Sequence, residues 1–273
     1  MSTYNESAKP KVTTALLRKM KLNGEKIACL TSYDYTMASL VDEAGMDLIL
    51  VGDSAANVMM GYDTTIPITL DDMITFSKGV VRGAKRAMVI VDMPFGYYQG
   101  CPEVALASAV RIMKETGASG VKIEGGEEIK ETISRILLAG IPVCGHLGLT
   151  PQSVNKFGGF GVRAKEEAEA NKLISDAKML DEMGCFAIVL EKIPANLAAR
   201  VTKEVSCPVI GIAAGGDTDG QILVVQDMLG MNKGFSPKFL RIYGELGDVI
   251  TESVGRYVED VKSTDFPNEN EHY

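Results

Sequence analysis

Six ionisable side chains stand at or just beyond the ends of five short apolar segments of the sequence. They are Asp53, Asp92, Lys122, Glu124, His146 and Glu191. Carboxylate oxygens are the ligands that Mg²⁺ prefers, an ammonium group can stabilise negative charge on a substrate, and a carboxylate or an imidazole can move a proton. If the fold brings the five segments together, Asp53, Asp92 and Glu124 are candidate metal ligands.

The two aspartates come one or two residues after their apolar segments, a position where Asp often caps the next helix instead. The next helical patterns begin only at Leu70 and Pro102, however. Asp53 and Asp92 lie too far ahead of them to act as caps. A binding role is therefore the better interpretation of both residues.

Lys122 and Glu124 alternate with Val121 and Ile123. In a strand, the two charged side chains therefore point to the same face. A surface ion pair is one interpretation of this pattern. Helices cover the outer face of a barrel strand, however, so an inward position at the rim is favoured.

Glu191 follows the apolar segment A-I-V-L, and a carboxylate at the mouth of a barrel suits proton transfer. A salt bridge with the neighbouring Lys192 is the alternative. His146 is the only histidine before the C-terminal tail. Because a lone histidine is more often a hydrogen-bonded support than a ligand, we interpret His146 as a support of the substrate site.

The elements that must position these side chains alternate along the chain. Short segments rich in Val and Ile predict strands buried on both faces, separated by segments with helical spacing. Strands are predicted at Ile27–Thr31, Leu48–Val51, Met88–Val91, Gly120–Ile123, Pro142–Cys144, Ala187–Leu190 and Val209–Ile212, with Pro237–Tyr243 as a weaker eighth. Helices are predicted at Tyr35–Ala44, Leu70–Ala84, Pro102–Thr116, Glu128–Ala139, Ala164–Met183, Ala195–Glu204, Gly220–Leu229 and Asp248–Lys262.

About eight strand–helix units in a chain of 273 residues predict an α/β fold, a closed (β/α)₈ TIM barrel. A doubly wound open sheet is the alternative, but no G-x-G-x-x-G follows any strand. The periodic segment Val12–Leu22 predicts an N-terminal helix that closes the barrel bottom. We expect one domain over residues 1–273, with loose tails at 1–10 and 263–273.

The composition is that of an acidic globular protein, with 28 basic and 36 acidic residues and a net charge of −8. This charge opposes binding to nucleic acid. The five cysteines form no C-x-x-C pair and are expected to be thiols in a reducing compartment. Neither a signal peptide nor a membrane-spanning segment is predicted, so we expect a cytoplasmic protein with no membrane partner.

An ordered set of motifs surrounds the candidate residues. It comprises L-T-S-Y-D at 30–34, V-G-D-S at 51–54, D-T-T-I-P-I-T-L-D-D-M at 63–73, D-M-P-F at 92–95, V-K-I-E-G-G at 121–126, G-H-L-G-L-T-P-Q-S at 145–153, and P-V-I-G-I-A-A-G with T-D-G-Q at 208–221. From Lys11 to Val261 the sequence resembles the ketopantoate hydroxymethyltransferase family. It departs from the family pattern at Ala55-Ala56-Asn57 and at Lys192.

The resemblance implies a barrel of the phosphoenolpyruvate-mutase type, Mg²⁺ dependence, 5,10-methylenetetrahydrofolate as co-substrate, and a homo-oligomer, often a decamer. The family's metal ligands fall on Asp53 and Asp92, with Glu124 reaching the ion directly or through water. Its keto-acid contacts fall on Asp53, Ser54, Asp92 and Lys122, and its proton acceptor falls on Glu191.

The expected reaction transfers a hydroxymethyl group to 3-methyl-2-oxobutanoate (ketoisovalerate) and gives ketopantoate, the first step of pantothenate biosynthesis. Mg²⁺ and Lys122 would stabilise the enolate, and Glu191 would be the base. Alternatively, Glu191 serves the folate nitrogens while water or His146 takes the proton. Two other functions remain open: a Mg²⁺-dependent lyase or phosphonate mutase on the same barrel, and a non-catalytic keto-acid-binding barrel.

Overall fold

Eight parallel strands close into a barrel in the computed structural model, which describes residues 10–273. Each strand pairs with the next along the chain, and the last pairs with the first. The strands are β1 (Ile27–Thr31), β2 (Leu48–Val51), β3 (Met88–Asp92), β4 (Gly120–Glu124), β5 (Val143–Gly148), β6 (Ala187–Glu191), β7 (Val209–Ile212) and β8 (Gly220–Leu223). The predicted barrel is confirmed, and the open sheet is ruled out.

Helices follow most of the strands, and capping residues mark several of their ends. In the described residues they are α1 (Thr14–Leu22), α2 (Tyr35–Glu43), α3 (Ala55–Val58), α4 (Leu70–Gly83), α5 (Pro102–Thr116), α6 (Lys130–Leu138), α7 (Val154–Phe157), α8 (Glu167–Met183), α9 (Ala195–Glu204), α10 (Val225–Met228) and α11 (Leu246–Ser263). Thr69 and Asp72 form a capping box at the start of α4. Gly117 and Gly184 end α5 and α8 in the left-handed conformation that glycine adopts without strain.

The eighth strand does not lie where the sequence predicts it. Pro237–Tyr243, the weaker candidate, forms neither strand nor helix. The predicted helix Gly220–Leu229 is also wrong, because its first four residues are β8 and only a short α10 follows. The barrel therefore closes earlier in the chain than expected.

The reason for this error is the connection between β7 and β8, which has no helix. Residues 213–219 alone join the two strands, so the alternation on which the prediction depends is interrupted. Gly220 also lies so close to β1 that an added Cβ would be 2.4 Å from the carbonyl oxygen of Ile27. Glycine is required by this close approach, and it weakens the strand signal in the sequence.

The other strand ends differ from the prediction by a few residues, and the differences matter for the site. Asp92, Glu124 and Glu191 are the last residues of β3, β4 and β6. His146 lies inside β5, which runs on to Gly148. These four side chains therefore project from the regular barrel itself, at the carboxyl ends of its strands.

Helix α1 closes the opposite end of the barrel, as predicted. Leu17 and Met20 belong to the same buried apolar cluster as Ile27, at the start of β1. At the end of α1, the ammonium of Lys21 lies 2.9 Å from the carboxylate of Asp219. Apolar packing and an ion pair thus close the amino end of the barrel. The carboxyl end is the one that remains open to a ligand.

The last part of the chain, Val224–Tyr273, forms a separate compact unit. It contains α10 and α11, and α11 buries none of its side chains. Residues 1–9 of the expected N-terminal tail lie outside the described residues, and residues 263–273 are exposed. A single domain over the whole chain with loose tails stays a prediction. Nowhere in residues 10–273 is a helix both long and apolar enough to cross a membrane.

Acidic side chains at the amino end of the barrel hold the start of neighbouring strands. The carboxylate of Asp42, in α2, accepts hydrogen bonds from the backbone N–H groups of Lys85, Arg86 and Ala87 at 2.6 to 3.1 Å, just before β3. Hydrogen bonds to a charged acceptor are stronger than those between neutral groups. Asp42 therefore fixes the entry of the strand that ends in Asp92.

We expect Asp42→Ala to lower the free energy of unfolding by about 2–4 kcal/mol, because three backbone donors lose a charged acceptor. Urea denaturation measures this loss. The control is Glu43→Ala at the neighbouring exposed position, which should change stability by less than about 0.5 kcal/mol. Equal effects of the two substitutions would contradict the anchoring role of Asp42.

Candidate active site

Strand pairing brings the predicted site residues together at the carboxyl end of the barrel. In the strand register, Asp92 stands beside Lys122, and Glu124 stands beside His146. Glu191 ends the next strand and is the most exposed of these side chains, at 20%. The other four are buried. The carboxyl ends of β3 to β6 therefore form one polar cluster.

Asp53 joins this cluster from the turn after β2. Its backbone N–H donates to Oδ2 of Asp92 at 3.0 Å. Oδ1 of Asp92 lies 2.9 Å from Nζ of Lys122. Next to Asp53, the Oγ of Ser54 is hydrogen-bonded to the hydroxyl of Tyr33 at 2.8 Å. The structure thus places Asp53, Asp92 and Lys122 in one group.

His146 connects the lysine to the two glutamates. Its Nδ1 lies 3.0 Å from Nζ of Lys122 and 3.3 Å from Oε1 of Glu124. On the other side of the ring, Nε2 lies 3.3 Å from Oε2 of Glu191. His146 therefore supports the site between its acidic groups and its cation.

Two uncharged residues of the site were missed by the sequence reasoning, although both lie in the motifs that carry the family resemblance. Gln152 donates from its side chain to Asp53 at 2.8 Å and from its backbone to Glu124 at 3.0 Å. Tyr33 contacts Ser54, as described above. Neither carries a charge at neutral pH, so only their place in the quoted motifs singles them out.

Burial sets the electrostatics of the cluster. Burial, assisted by the charges of Asp92 and Glu124, raises the pKa of Asp53 well above its ordinary value. Burial also raises the pKa of Asp92, although Lys122 opposes the increase. Burial lowers the pKa of Lys122, but the surrounding carboxylates outweigh this effect and raise it. The group as a whole has an excess of buried negative charge.

The pKa of His146 results from opposing effects. Burial lowers it, and the ammonium of Lys122 lowers it further. Hydrogen bonds with Glu124 and Glu191 act in the other direction, and the net result is a pKa raised to about 9. The carboxylates around His146 therefore attract positive charge into the site.

The donor set fits a divalent cation of the Mg²⁺ type. Asp53, Asp92 and Glu124 share a buried region with only one lysine, and Oε1 of Glu124 faces the imidazole of His146 at 3.3 Å. Among residues 10–273, no three His, Cys, Asp or Glu side chains converge closely enough to enclose an ion by themselves. Mg²⁺ usually keeps several water ligands and needs only one or two protein carboxylates. The residues present meet that requirement.

A cavity of about 680 Å³ opens beside Glu124. Its walls include the aromatic rings of Phe95 and Phe157 and the cations Lys156 and Arg163. The guanidinium of Arg163 stacks 4.0 Å above the ring of Phe157. The size lies within the range of small-molecule sites, which span about 300–1,000 Å³. A second ligand could therefore reach the polar cluster through this cavity.

Comparison with known proteins identifies the family to which the chain belongs. The sequence profile of ketopantoate hydroxymethyltransferase matches residues 11–269. The chain belongs to the ketopantoate hydroxymethyltransferase family. Similar relatives named 3-methyl-2-oxobutanoate hydroxymethyltransferase occur in Parabacteroides distasonis (63% identical), Bacteroides fragilis (64%) and Flavobacterium johnsoniae (62%), each over 273 residues and the full length of both chains. The predicted family and enzyme class are confirmed.

Several solved structures have a barrel similar to that of this chain, although their sequence identity to it is low. A phosphonopyruvate hydrolase in complex with oxalate and Mg²⁺ has a TM-score of 0.59 and 12% identity, covering 95% of this chain and 93% of its own. The 2,3-dimethylmalate lyase of the PEP mutase/isocitrate lyase superfamily has a TM-score of 0.59 and 18% identity, covering 95% and 90%. These similarities confirm the fold type that the sequence predicts.

The departures from the pattern of the ketopantoate hydroxymethyltransferase family lie in well-packed parts of the site. Ala55 and Ala56 are completely buried in α3, directly after Ser54. Lys192 adopts a left-handed conformation with φ of 49°, and its backbone donates to the carbonyl of Ile212. The backbone around Asp53 and Glu191 is therefore held in place by packing and hydrogen bonds.

We expect Asp53→Asn to stabilise the metal-free protein at neutral pH, because the amide carries no charge that has to be buried. The folded-state pKa of Asp53 is raised, so the ionised carboxylate costs stability above that pKa. This cost disappears as the pH falls towards about 4, the unfolded-state value.

Urea denaturation in EDTA between pH 4.5 and 8 measures the difference. Asp63→Asn, at an exposed position, serves as the control and should show no such pH-dependent gain. If Asp53→Asn is less stable than the wild type across this whole range, the electrostatic account of the site is wrong.

Proposed function

We propose that the protein transfers a hydroxymethyl group from 5,10-methylenetetrahydrofolate to 3-methyl-2-oxobutanoate, giving ketopantoate in the first step of pantothenate biosynthesis. In balance, the keto acid, methylenetetrahydrofolate and water give ketopantoate and tetrahydrofolate. The observation that carries the proposal is the buried cluster of Asp53, Asp92, Lys122 and Glu124, found in a chain whose full-length relatives bear the name of this activity.

Mg²⁺ is the proposed cofactor, held by Asp53 and Asp92, with Glu124 reaching it directly or through water. The ion would supply Lewis-acid stabilisation to the oxygens of the keto acid. The buried negative charge described above supports this assignment. The Mg²⁺ and oxalate of the phosphonopyruvate hydrolase, a protein with the same barrel, also support it.

Lys122 and Ser54 are the proposed contacts of the keto acid, together with Asp53, Asp92 and His146. When the carbon next to the keto group loses a proton, negative charge moves onto the keto oxygen. Lys122 is buried and surrounded by carboxylates, so its ammonium is a fixed positive charge that can stabilise this enolate without reorganisation. The hydroxyl of Ser54 is oriented by Tyr33.

Glu191 is the proposed base. Its carboxylate ends β6, remains partly exposed, and lies 3.3 Å from Nε2 of His146. It would take the proton from the carbon next to the keto group, and that carbon would then form the new C–C bond with the donor methylene. His146 contacts the carboxylate of Glu191 through Nε2 and so helps to orient it towards the buried cluster.

The folate is proposed to occupy the cavity beside Glu124. A pterin and aminobenzoyl system is flat and aromatic, which suits the rings of Phe95 and Phe157. The glutamate end of a folate is anionic, which suits Lys156 and Arg163 at the wall. Because Glu124 lines the cavity and contacts His146, a donor bound there would lie beside the keto acid.

A cytoplasmic homo-oligomer is the proposed state of the protein, and the family resemblance implies a decamer. All five cysteines are free thiols, which supports a reducing compartment. Apolar side chains along α11 are exposed, which supports self-association. They are Val249, Ile250, Val254, Tyr257, Val258 and Val261.

The activity is tested by incubating the protein with methylenetetrahydrofolate and ketoisovalerate, with Mg²⁺ or with EDTA, and measuring ketopantoate. We expect product only with Mg²⁺. Lys122→Ala should lower kcat by at least about 100- to 1,000-fold, the usual effect of removing a preorganised charge partner. Lys203→Ala, an exposed helix residue, should retain activity. A lack of metal-dependent product would favour the lyase, mutase or non-catalytic alternatives.

The role of Glu191 is tested by isotope exchange at the carbon next to the keto group, without folate. We expect Glu191→Gln to bind the keto acid but to lose exchange, because the amide cannot accept the proton. Calorimetry measures the binding and NMR measures the exchange. Exchange at the wild-type rate would remove Glu191 from the base role and favour its alternative role at the folate nitrogens.

A further inference from the structure

Gln152 occupies the centre of the site without belonging to the predicted reactive groups. It lies in the 3-10 turn Pro151–Ser153 after β5, and only 5% of it is exposed. Its side-chain nitrogen donates to Oδ2 of Asp53 at 2.8 Å and to the carbonyl of Met93 at 3.0 Å. Its backbone N–H donates to Oε2 of Glu124 at 3.0 Å. One residue thus connects the ends of β2, β3 and β4.

The other end of the same amide holds the loop that follows β3. Its Oε1 accepts from the hydroxyl of Tyr98 at 2.8 Å and from Nε2 of Gln99 at 3.0 Å. An amide side chain has two donor hydrogens and two acceptor lone pairs. All four are used here, so Gln152 has no capacity left to serve as a donor to substrate in this arrangement.

The orientation of the amide is fixed by its neighbours. The carbonyl of Met93 can only accept, so the nitrogen of Gln152 must face it. Gln99 is itself oriented, because its Oε1 accepts from the backbone N–H of Gly96 at 2.8 Å. Its nitrogen must therefore face Oε1 of Gln152. Two independent contacts thus exclude a flipped amide.

This arrangement reduces the cost of burying two carboxylates close to each other. Asp53 and Glu124 come from strands that are not neighbours, and their like charges repel each other in a buried place. Gln152 gives each carboxylate one N–H donor and adds no charge of its own. A glutamate at this position would place a third carboxylate against Asp53, and the side chain of an asparagine would be one methylene shorter than the one that reaches Asp53.

We propose that Gln152 is a positioning residue that fixes the Asp53 and Glu124 carboxylates relative to each other and couples them to the loop at residues 93–101. The inference rests on the proposed function, since it treats these carboxylates as the Mg²⁺ site. If the two carboxylates are already held in place, Mg²⁺ can bind without the cost of ordering them. Residues that orient metal ligands in this way contribute strongly to the affinity for the metal. Gln152 acts on the reaction only through these residues.

The test is Gln152→Leu, compared with the wild type by Mg²⁺ calorimetry in the absence of both substrates. We expect Mg²⁺ affinity to fall by about 10- to 100-fold, the usual cost of losing a partner that orients a metal ligand. Amide hydrogen exchange in residues 93–101 of the metal-free protein should also become faster, because Tyr98 and Gln99 lose their shared acceptor. A defect in folding alone would not raise exchange selectively in this loop.

Gln99→Leu is the matched control, because it removes one contact with the loop but leaves the bonds from Gln152 to Asp53 and Glu124. Its Mg²⁺ affinity should stay within about twofold of the wild type. Tyr98→Phe is an independent variant that weakens the support of the amide oxygen, and it should reduce Mg²⁺ affinity by a smaller factor than Gln152→Leu. If Gln152→Leu does not fold, Gln152→Met replaces it.

Wild-type Mg²⁺ affinity in a folded Gln152→Leu or Gln152→Met protein would overturn the proposal, as would unchanged exchange in residues 93–101. Both measurements are made without substrates. A protein that forms no ketopantoate but loses Mg²⁺ affinity on substitution of Gln152 would contradict the proposed function and leave the positioning role supported. The two ideas can therefore fail separately.

Discussion

The site depends on the burial of several carboxylates around a single lysine. Isolated charges are costly to bury, and like charges at short range raise the cost further. Lys122 compensates Asp92 directly, and hydrogen bonds from backbone and amide N–H groups compensate Asp53 and Glu124 only in part. The ionised carboxylates are therefore costly to bury, and the pKa values of Asp53 and Asp92 are raised as a result. The rest of the barrel has to hold these groups together against their repulsion.

The strand register of the barrel and the contacts at its amino end hold these groups in place. Pairing of β3 with β4 and of β4 with β5 sets Asp92 against Lys122 and Glu124 against His146, so the order of the site follows from strand pairing. At the amino end, α1 packs into the apolar core, and Asp42 holds the start of β3. Contacts that stabilise the barrel thus lie at one end of the strands and the candidate site at the other, as is usual for enzymes with this fold.

The sequence was informative wherever a charge followed an apolar strand. Asp53, Asp92, Glu124 and Glu191 could be identified in this way, because a charged residue at the end of a buried strand is conspicuous. Lys122 could be identified by its alternation with apolar residues inside a strand. Gln152 and Tyr33 could not, since uncharged polar residues in turns are common and their role depends on contacts between distant segments. The eighth strand was missed for a related reason: Gly220 serves a close approach to β1, a tertiary requirement that leaves no periodic pattern in the chain.

The barrel is shared with other enzymes, whereas the polar contacts at its carboxyl end are particular to this site. Proteins only 12–18% identical to the chain, a hydrolase and a lyase among them, have a similar barrel, so the barrel alone does not select a reaction. Selection must come from the groups that surround the carboxylates. In this chain those groups are His146, which connects the buried cluster to Glu191, and the amide of Gln152, which connects it to the loop after β3. Because the barrel is shared, these contacts with the carboxylates are the features from which a choice of reaction can come.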